Sequence, residues 1–327
     1  MIIDRELAAW LADPARKLAS ATTADLTARA WAGHELVQGL RRELEAIEPK
    51  TAEAVLAAAE RFMNQEEQIA GFVRDLVAKS VADPFFQPAF LTLAGDISTG
   101  LVLYADRNVF ISLAVAGVDA LAAKKSGNRG PSSIAFTGLP TLFHVVKSGG
   151  ATLSFWEAPR IGADFVGDRT GRCRMTEMRR IEDGERILID GWTQSFVIEH
   201  ATSDIILLQA AVHAECAPLA LEYDSKTCEF IGASSTDEGS SRIEMMVSLM
   251  RAMDHKEAGP LLEELLESPH FFTRWYVMRE YLGLDAEAAL PSLRRLAGGD
   301  PHPHVRAAAQ QTLAMFFDQD LAQEEAA

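Results

Sequence analysis

The strongest constraint on this chain lies near its C-terminus, where Ser268-Pro269-His270 followed by Arg274 returns as Asp300-Pro301-His302 followed by Arg306. The spacing inside each copy is the same and the offset is 32 residues. A self-match at that period marks stacked helical hairpins, each of which buries its apolar face only against a neighbour. Such hairpins offer a face to a partner rather than chemistry. Ser268 and Asp300 are read as caps of the helices that follow, with Pro269 and Pro301 in the first turn, where a missing amide costs nothing.

With 327 residues, the chain is long enough for two or three structural units, each with its own interior. From Asp4 to about Ala82, apolar residues recur three and four apart and Gly is almost absent, which predicts helices. Three are read. One ends before Asp13-Pro14, and a second starts after a cap in Ser20–Thr23 and runs to about Pro49. The third starts after Thr51, is broken near Gln65, and stops at Asp83-Pro84. Between about Ser98 and Ser235 the pattern changes to short runs rich in β-branched and aromatic residues. These are Gly100–Tyr104, Val109–Ala116, Ser133–Thr137, Thr141–Val146, Ala151–Ala158, Arg172–Arg180, Arg186–Ile189, Gln194–Glu199, Asp204–Val212, Leu219–Tyr223 and Thr227–Ala233. Turn signals separate several of them, among them Ser148-Gly149-Gly150 and Asp183-Gly184. Ser126–Pro131 reads as a flexible loop, and Glu324–Ala327 as a frayed tail.

Strands without helices alternating among them predict an antiparallel sandwich or jelly roll, not a doubly wound sheet. The expected fold is α+β in three segments: helical at 1–97, an antiparallel β domain at 98–235, and helical repeats at 236–327.

Asp300-Pro301-His302-Pro303-His304-Val305-Arg306 followed by three alanines resembles the second-helix start of HEAT-like repeats, with Ser268-Pro269 and Arg274-Trp275 as a looser copy. The resemblance implies that Arg274 and Arg306 belong to a ladder between adjacent turns. Their alternative role is in a partner-facing patch with Trp275, Tyr276 and Arg279, since Arg and aromatic residues are enriched at binding hot spots. The β segment, from Gly149 through Glu185–Gly191 to His200, is similar to a cupin-type double-stranded β-helix. That resemblance implies an oxygenase or isomerase with a divalent metal held by several His and a Glu. No His-x-His occurs in the segment, so the ligands would come from His144, Glu177, His200 and His213. Gln194, Ser195, Glu199 and His200 are candidates to line a small-molecule pocket at the mouth of such a barrel. His213-Ala214-Glu215-Cys216 brings a base, an acid and a thiol close in sequence, a weak signal for nucleophilic catalysis.

A net charge of −16 repels phosphate backbones and anionic membrane surfaces, so neither nucleic acid nor membrane is an expected partner. Glycine-rich phosphate loops are absent. Cys173, Cys216 and Cys228 lack the two-residue spacing of zinc knuckles and read as reduced thiols of a cytoplasmic protein. The sequence therefore points to a non-enzymatic interaction or scaffold protein that needs no cofactor and binds another protein. A metal-dependent cupin-type enzyme and a sensor that takes a small-molecule ligand in its β domain stand as alternatives.

Overall fold

The architecture comes from a computed structural model and is described for residues 5–127, 133–162 and 171–316. Asn128–Pro131 of the expected loop and the expected tail at Glu324–Ala327 lie outside these residues. The chain divides into two compact units, and neither is continuous in sequence. One comprises 1–132, 139–157 and 175–216. The other comprises 133–138, 158–174 and 217–327.

The first unit opens with five helices, α1 (Arg5–Ala12), α2 (Pro14–Ala32), α3 (Glu35–Ala46), α4 (Ala52–Met63) and α5 (Glu66–Ala82). The cap expected in Ser20–Thr23 is not one. Asp13 caps α2 instead, its carboxylate accepting from the amides of Ala15 and Arg16, with Pro14 in the first turn. The hydroxyl of Thr23 turns back onto the carbonyl of Ala19, so α2 runs straight through. Gly33 ends it and separates α2 from α3. Thr51 caps α4 as expected.

The strands of this unit are β1 (Thr92–Ala94), β2 (Ser98–Ala105), β3 (Val109–Ala116), β5 (Thr141–Lys147), β6 (Thr152–Glu157), β7 (Arg174–Arg180), β8 (Arg186–Ile189), β9 (Gln194–His200) and β10 (Ile205–Val212), with helix α6 (Val118–Gly127) after β3. β4 (Ser133–Phe136) belongs to the second unit. Six strands form an antiparallel sheet in the order β1-β2-β3-β10-β5-β8, and three form a sheet in the order β7-β6-β9. Successive strands from β5 to β10 interleave between the two sheets in the strand order of a jelly roll. β4, which a complete eight-stranded roll would add to the smaller sheet, pairs instead with β11.

Period-two alternation gives the larger sheet two buried faces. One face, carrying Val109, Ile111, Leu142, Leu208, Ala210 and Val212, packs on Trp31, Leu40, Leu44, Val55 and Phe62 from the helices. The indole of Trp31 donates to the carbonyl of Leu103 at 2.8 Å, and its ring stacks on Phe72 at 4.0 Å. The other face meets the smaller sheet through Val145, Leu153, Ile187 and Ile205, with Phe143, Phe155 and Phe196 between them. Gly149 makes the turn into β6. Its φ of 57° is left-handed, and a Cβ there would stand 2.3 Å from the carbonyl oxygen of Ser203.

In the second unit, β4, β11 (Leu219–Asp224) and β12 (Phe230–Ser235) form a sheet in the order β12-β11-β4, in which Tyr223 packs edge-on to Phe136 and Phe230. Helices α7 (Glu238–Ala252), α8 (Gly259–Leu265), α9 (Phe271–Leu284), α10 (Ala286–Gly299) and α11 (Pro303–Phe316) follow and close on a core of Leu262, Val277, Met278, Ala289, Leu293 and Val305. The eleven strands expected from the sequence are all present, within three residues at each end. The molecule is α+β with antiparallel sheets and helices at both ends.

Candidate functional site

The two copies of the repeat fold alike. Pro269 and Pro301 halt the chain ahead of α9 and α11, leaving carbonyls that no helix satisfies. Arg274 reaches back to the carbonyls of Ser268 and Pro269 at 2.8 and 3.2 Å. Arg306 makes the same reach to those of Asp300 and Pro301. Ser268 and Asp300 are therefore not the N-caps of α9 and α11, which start three residues further on, and Asp300 instead ends α10 as its C-cap. Asp300 also serves as the rung between repeats: its two oxygens take a fork from Nε and Nη2 of Arg274, both at 2.8 Å. The pair is sealed from water, with side-chain exposures of 8% for Arg274 and 1% for Asp300. Burial by itself would raise the carboxyl of Asp300, but Arg274, the His302 amide and the His302 ring outweigh it and hold it below the ordinary carboxylate value. This geometry removes Arg274 from the partner-facing set, because its guanidinium is spent inside the stack, and ties Arg306 to its own turn.

The remaining members of that set do meet. Trp275, Tyr276 and Arg279 line a groove of about 410 Å³ with Phe272, His304 and Ala308. The hydroxyl of Tyr276 is held by Ser248 at 2.5 Å, and the exposed guanidinium of Arg279 stands 5.6 Å from the Tyr276 ring centre. Phe272 and Ala308 were missed in the sequence. Their signal was the alanine run after Arg306, which leaves room between α9 and α11.

The residues proposed for a β-domain site separate. Along β9, Gln194 shares the inward face of Phe196 and Ile198, while Glu199 lies on the opposite face, where it accepts from Ser154 at 2.6 Å. Gln194 lines a cavity of about 300 Å³ together with Thr176, Glu177 and Arg179, whose guanidinium lies 4.8 Å from the Phe155 ring centre. His200 is exposed at the end of β9.

Of the other metal-ligand candidates, His144 is buried on the helix-covered face of β5, Glu177 is on β7, and His213 follows β10. Among the described residues no group of three His, Cys, Asp or Glu side chains is placed to hold a metal. The four donors do not fit a shared ion. Glu215 is structural: its carboxylate accepts from the first amide of α4 and its carbonyl from the Trp192 indole.

His144 lines a second cavity, of about 450 Å³, between α5 and the sheet, with Ile69, Val73, Leu113, Ile206 and Leu208. Its Nε2 is 3.6 Å from a carboxylate oxygen of Glu66, and its Nδ1 is buried without a partner. Burial, then the nearby charge of Arg186, lowers its pKa, so the imidazole is neutral at pH 7. No helix among the described residues is long and apolar enough to cross a membrane.

No protein-family model matches the sequence, and no curated relative matches it. Among solved structures, the chain is similar to the 7S globulin of Momordica charantia at 13% identity and a TM-score of 0.25, over 42% of this chain and 36% of the globulin. It therefore spans about a third of that protein's length. It is also similar to a cupin domain from Bordetella pertussis Tohama I (8% identity, TM-score 0.22, 37% of this chain and 99% of that one). A third likeness is to an HTH_3 family transcriptional regulator from Vibrio cholerae (11% identity, TM-score 0.23, 58% and 85%).

Proposed function

We propose that the protein is a non-enzymatic interaction protein whose C-terminal stack, built of HEAT-like repeats, docks a partner protein. One observation carries this reading. The polar residues Arg274 and Asp300 of the repeat bond to one another inside the stack, whereas the groove between α9 and α11 is left lined by Phe272, Trp275 and Tyr276 with the Arg279 cation at its edge. Aromatic anchors beside an Arg are the residue types that dominate binding hot spots. The exposed Met245, Met246 and Leu249 of α7, with Met253 at its C-cap, add apolar surface to the same unit in adaptable side chains. A partner segment with two or three apolar anchors and a carboxylate for Arg279 fits this lining. The test compares the proteins that co-purify from the native cell with wild type and with Phe272→Ser, at a half-buried groove residue, and Arg279→Glu, at an exposed one. Loss of one and the same partner from both variants, at unchanged melting temperature, supports the reading. An identical partner set in all three sinks it.

The second reading, a small-molecule sensor in the β domain, is favoured by the cavity at His144. It has the volume and apolar lining of a ligand pocket and one buried polar group without a full set of partners. Its test is a metabolite screen by thermal shift, because binding only the folded state raises stability. A stabilising compound whose effect vanishes in Val73→Trp, which fills the cavity, supports it. A screen without any shift counts against it.

A further inference from the structure

Cys173 and Cys228 are 55 positions apart in sequence yet stand opposite one another in the second unit. Arg172 and Glu229 form an antiparallel bridge, and next to it the amide of Cys173 donates to the carbonyl of Cys228 at 3.0 Å. Directly opposed residues of an antiparallel ladder have Cα atoms about 4.5–5.5 Å apart, and here the pair shares the single bond from Cys173, the Cys228 amide donating to the carbonyl of Asp224 at 2.9 Å. A disulfide spans Cα separations of about 4.4–6.8 Å, so the backbone is already within its range. The two thiols are neighbours. Burial, then the neighbouring Cys228, pushes the Cys173 thiol up to about 12, which keeps it protonated until its partner reacts. Cys228 is partly exposed and sits at a left-handed φ of 57°, at the end of the turn organised by the Asp224 carboxylate.

We propose that Cys173 and Cys228 are a reversible dithiol–disulfide site that exchanges with low-molecular-weight disulfides of the glutathione type. The accessible Cys228 attacks as thiolate, breaking the reagent's S–S bond, forming a mixed disulfide and releasing one thiol. Cys173 then gives up its proton and attacks the Cys228 sulfur, and the second reagent thiol leaves. Two protein thiols and one reagent disulfide become one protein disulfide and two reagent thiols, with two electrons passing to the reagent. The new bond would tie the segment before β7 to the turn between β11 and β12.

The experiment uses the full chain carrying Cys216→Ser, equilibrated in glutathione buffers of increasing oxidation, acid-quenched and read by intact mass and peptide mapping. The expected product has lost two hydrogens, carries no retained glutathione, and yields one peptide linking Cys173 to Cys228. In Cys173→Ser, and in Cys173→Ala if the first variant folds poorly by circular dichroism, a stable glutathione adduct should instead be trapped on Cys228. A stable adduct on Cys228 with Cys173 intact overturns the proposal, as does the absence of the linked peptide at every ratio.

Discussion

Replacing Arg274 by Ala tests the rung between the repeats. The substitution removes two charge-assisted bonds of 2.8 Å and leaves Asp300, 1% exposed at its side chain, with the His302 amide as its remaining polar contact at 2.7 Å. Breaking a buried pair from one side costs about 3–5 kcal/mol, because an uncompensated charge stays inside. The carbonyls of Ser268 and Pro269 lose their donor as well. In wild type the carboxyl of Asp300 is held below its ordinary value, so its contribution is present above about pH 4 and is lost as the pH falls through the lower folded value. In Arg274→Ala burial is opposed by His302 alone and the folded value rises, so the penalty is largest at neutral pH and relieved on acidification. The gap between wild type and variant should therefore shrink from pH 7 to pH 3. Urea titrations of both proteins, followed by circular dichroism and by tryptophan fluorescence, measure this gap. A cost below about 1 kcal/mol, or a gap that does not change with pH, would refute the reasoning.

Arg306→Ala removes only bonds to carbonyls of its own turn and should cost less, about 1–3 kcal/mol, in the same titration. Gly149→Ala forces a Cβ into the Ser203 carbonyl at a left-handed φ and should cost about 1–3 kcal/mol, seen as a lowered urea midpoint. Trp31→Phe keeps the ring stacked on Phe72 but deprives the Leu103 carbonyl of its indole donor. A loss of about 1–3 kcal/mol is expected, and an unchanged midpoint would show that this bond contributes nothing net.

Eleven strands were legible because most are short, alternating and bounded by turn residues, and pattern and structure agree at Val109–Ala116 and Arg186–Ile189 to the residue, whereas β1, three residues inside the segment expected to be helical at 1–97, carries too little pattern to be read. α6 was not legible: Val118–Gly127 is rich in Ala and Lys without an apolar stripe, and its identity as a helix rests on context. The break at Gly33 was hidden for a similar reason, since helical periodicity continues on both sides of it. For the sites, the 32-residue echo located Arg274 and Arg306, but not that a charge would meet Arg274 alone while Arg306 stays on carbonyls of its own turn. That depends on Asp300, which looks like an N-cap in sequence and is a rung in space. Gln194 and Glu199 looked like neighbours because they are close along the chain, whereas the pleat sends them to opposite faces.

The interrupted course of the chain has a practical consequence. The polypeptide leaves the first unit at 133, returns at 139, leaves again at 158, and comes back once more at 175 before its last exit at 217. No single scission can release either half intact, because shortening the protein from the C-terminal side takes β11 away from β4, and shortening it from the front strips the α-helical cladding off a sheet that remains. These two halves therefore cannot be shuffled as independent cassettes.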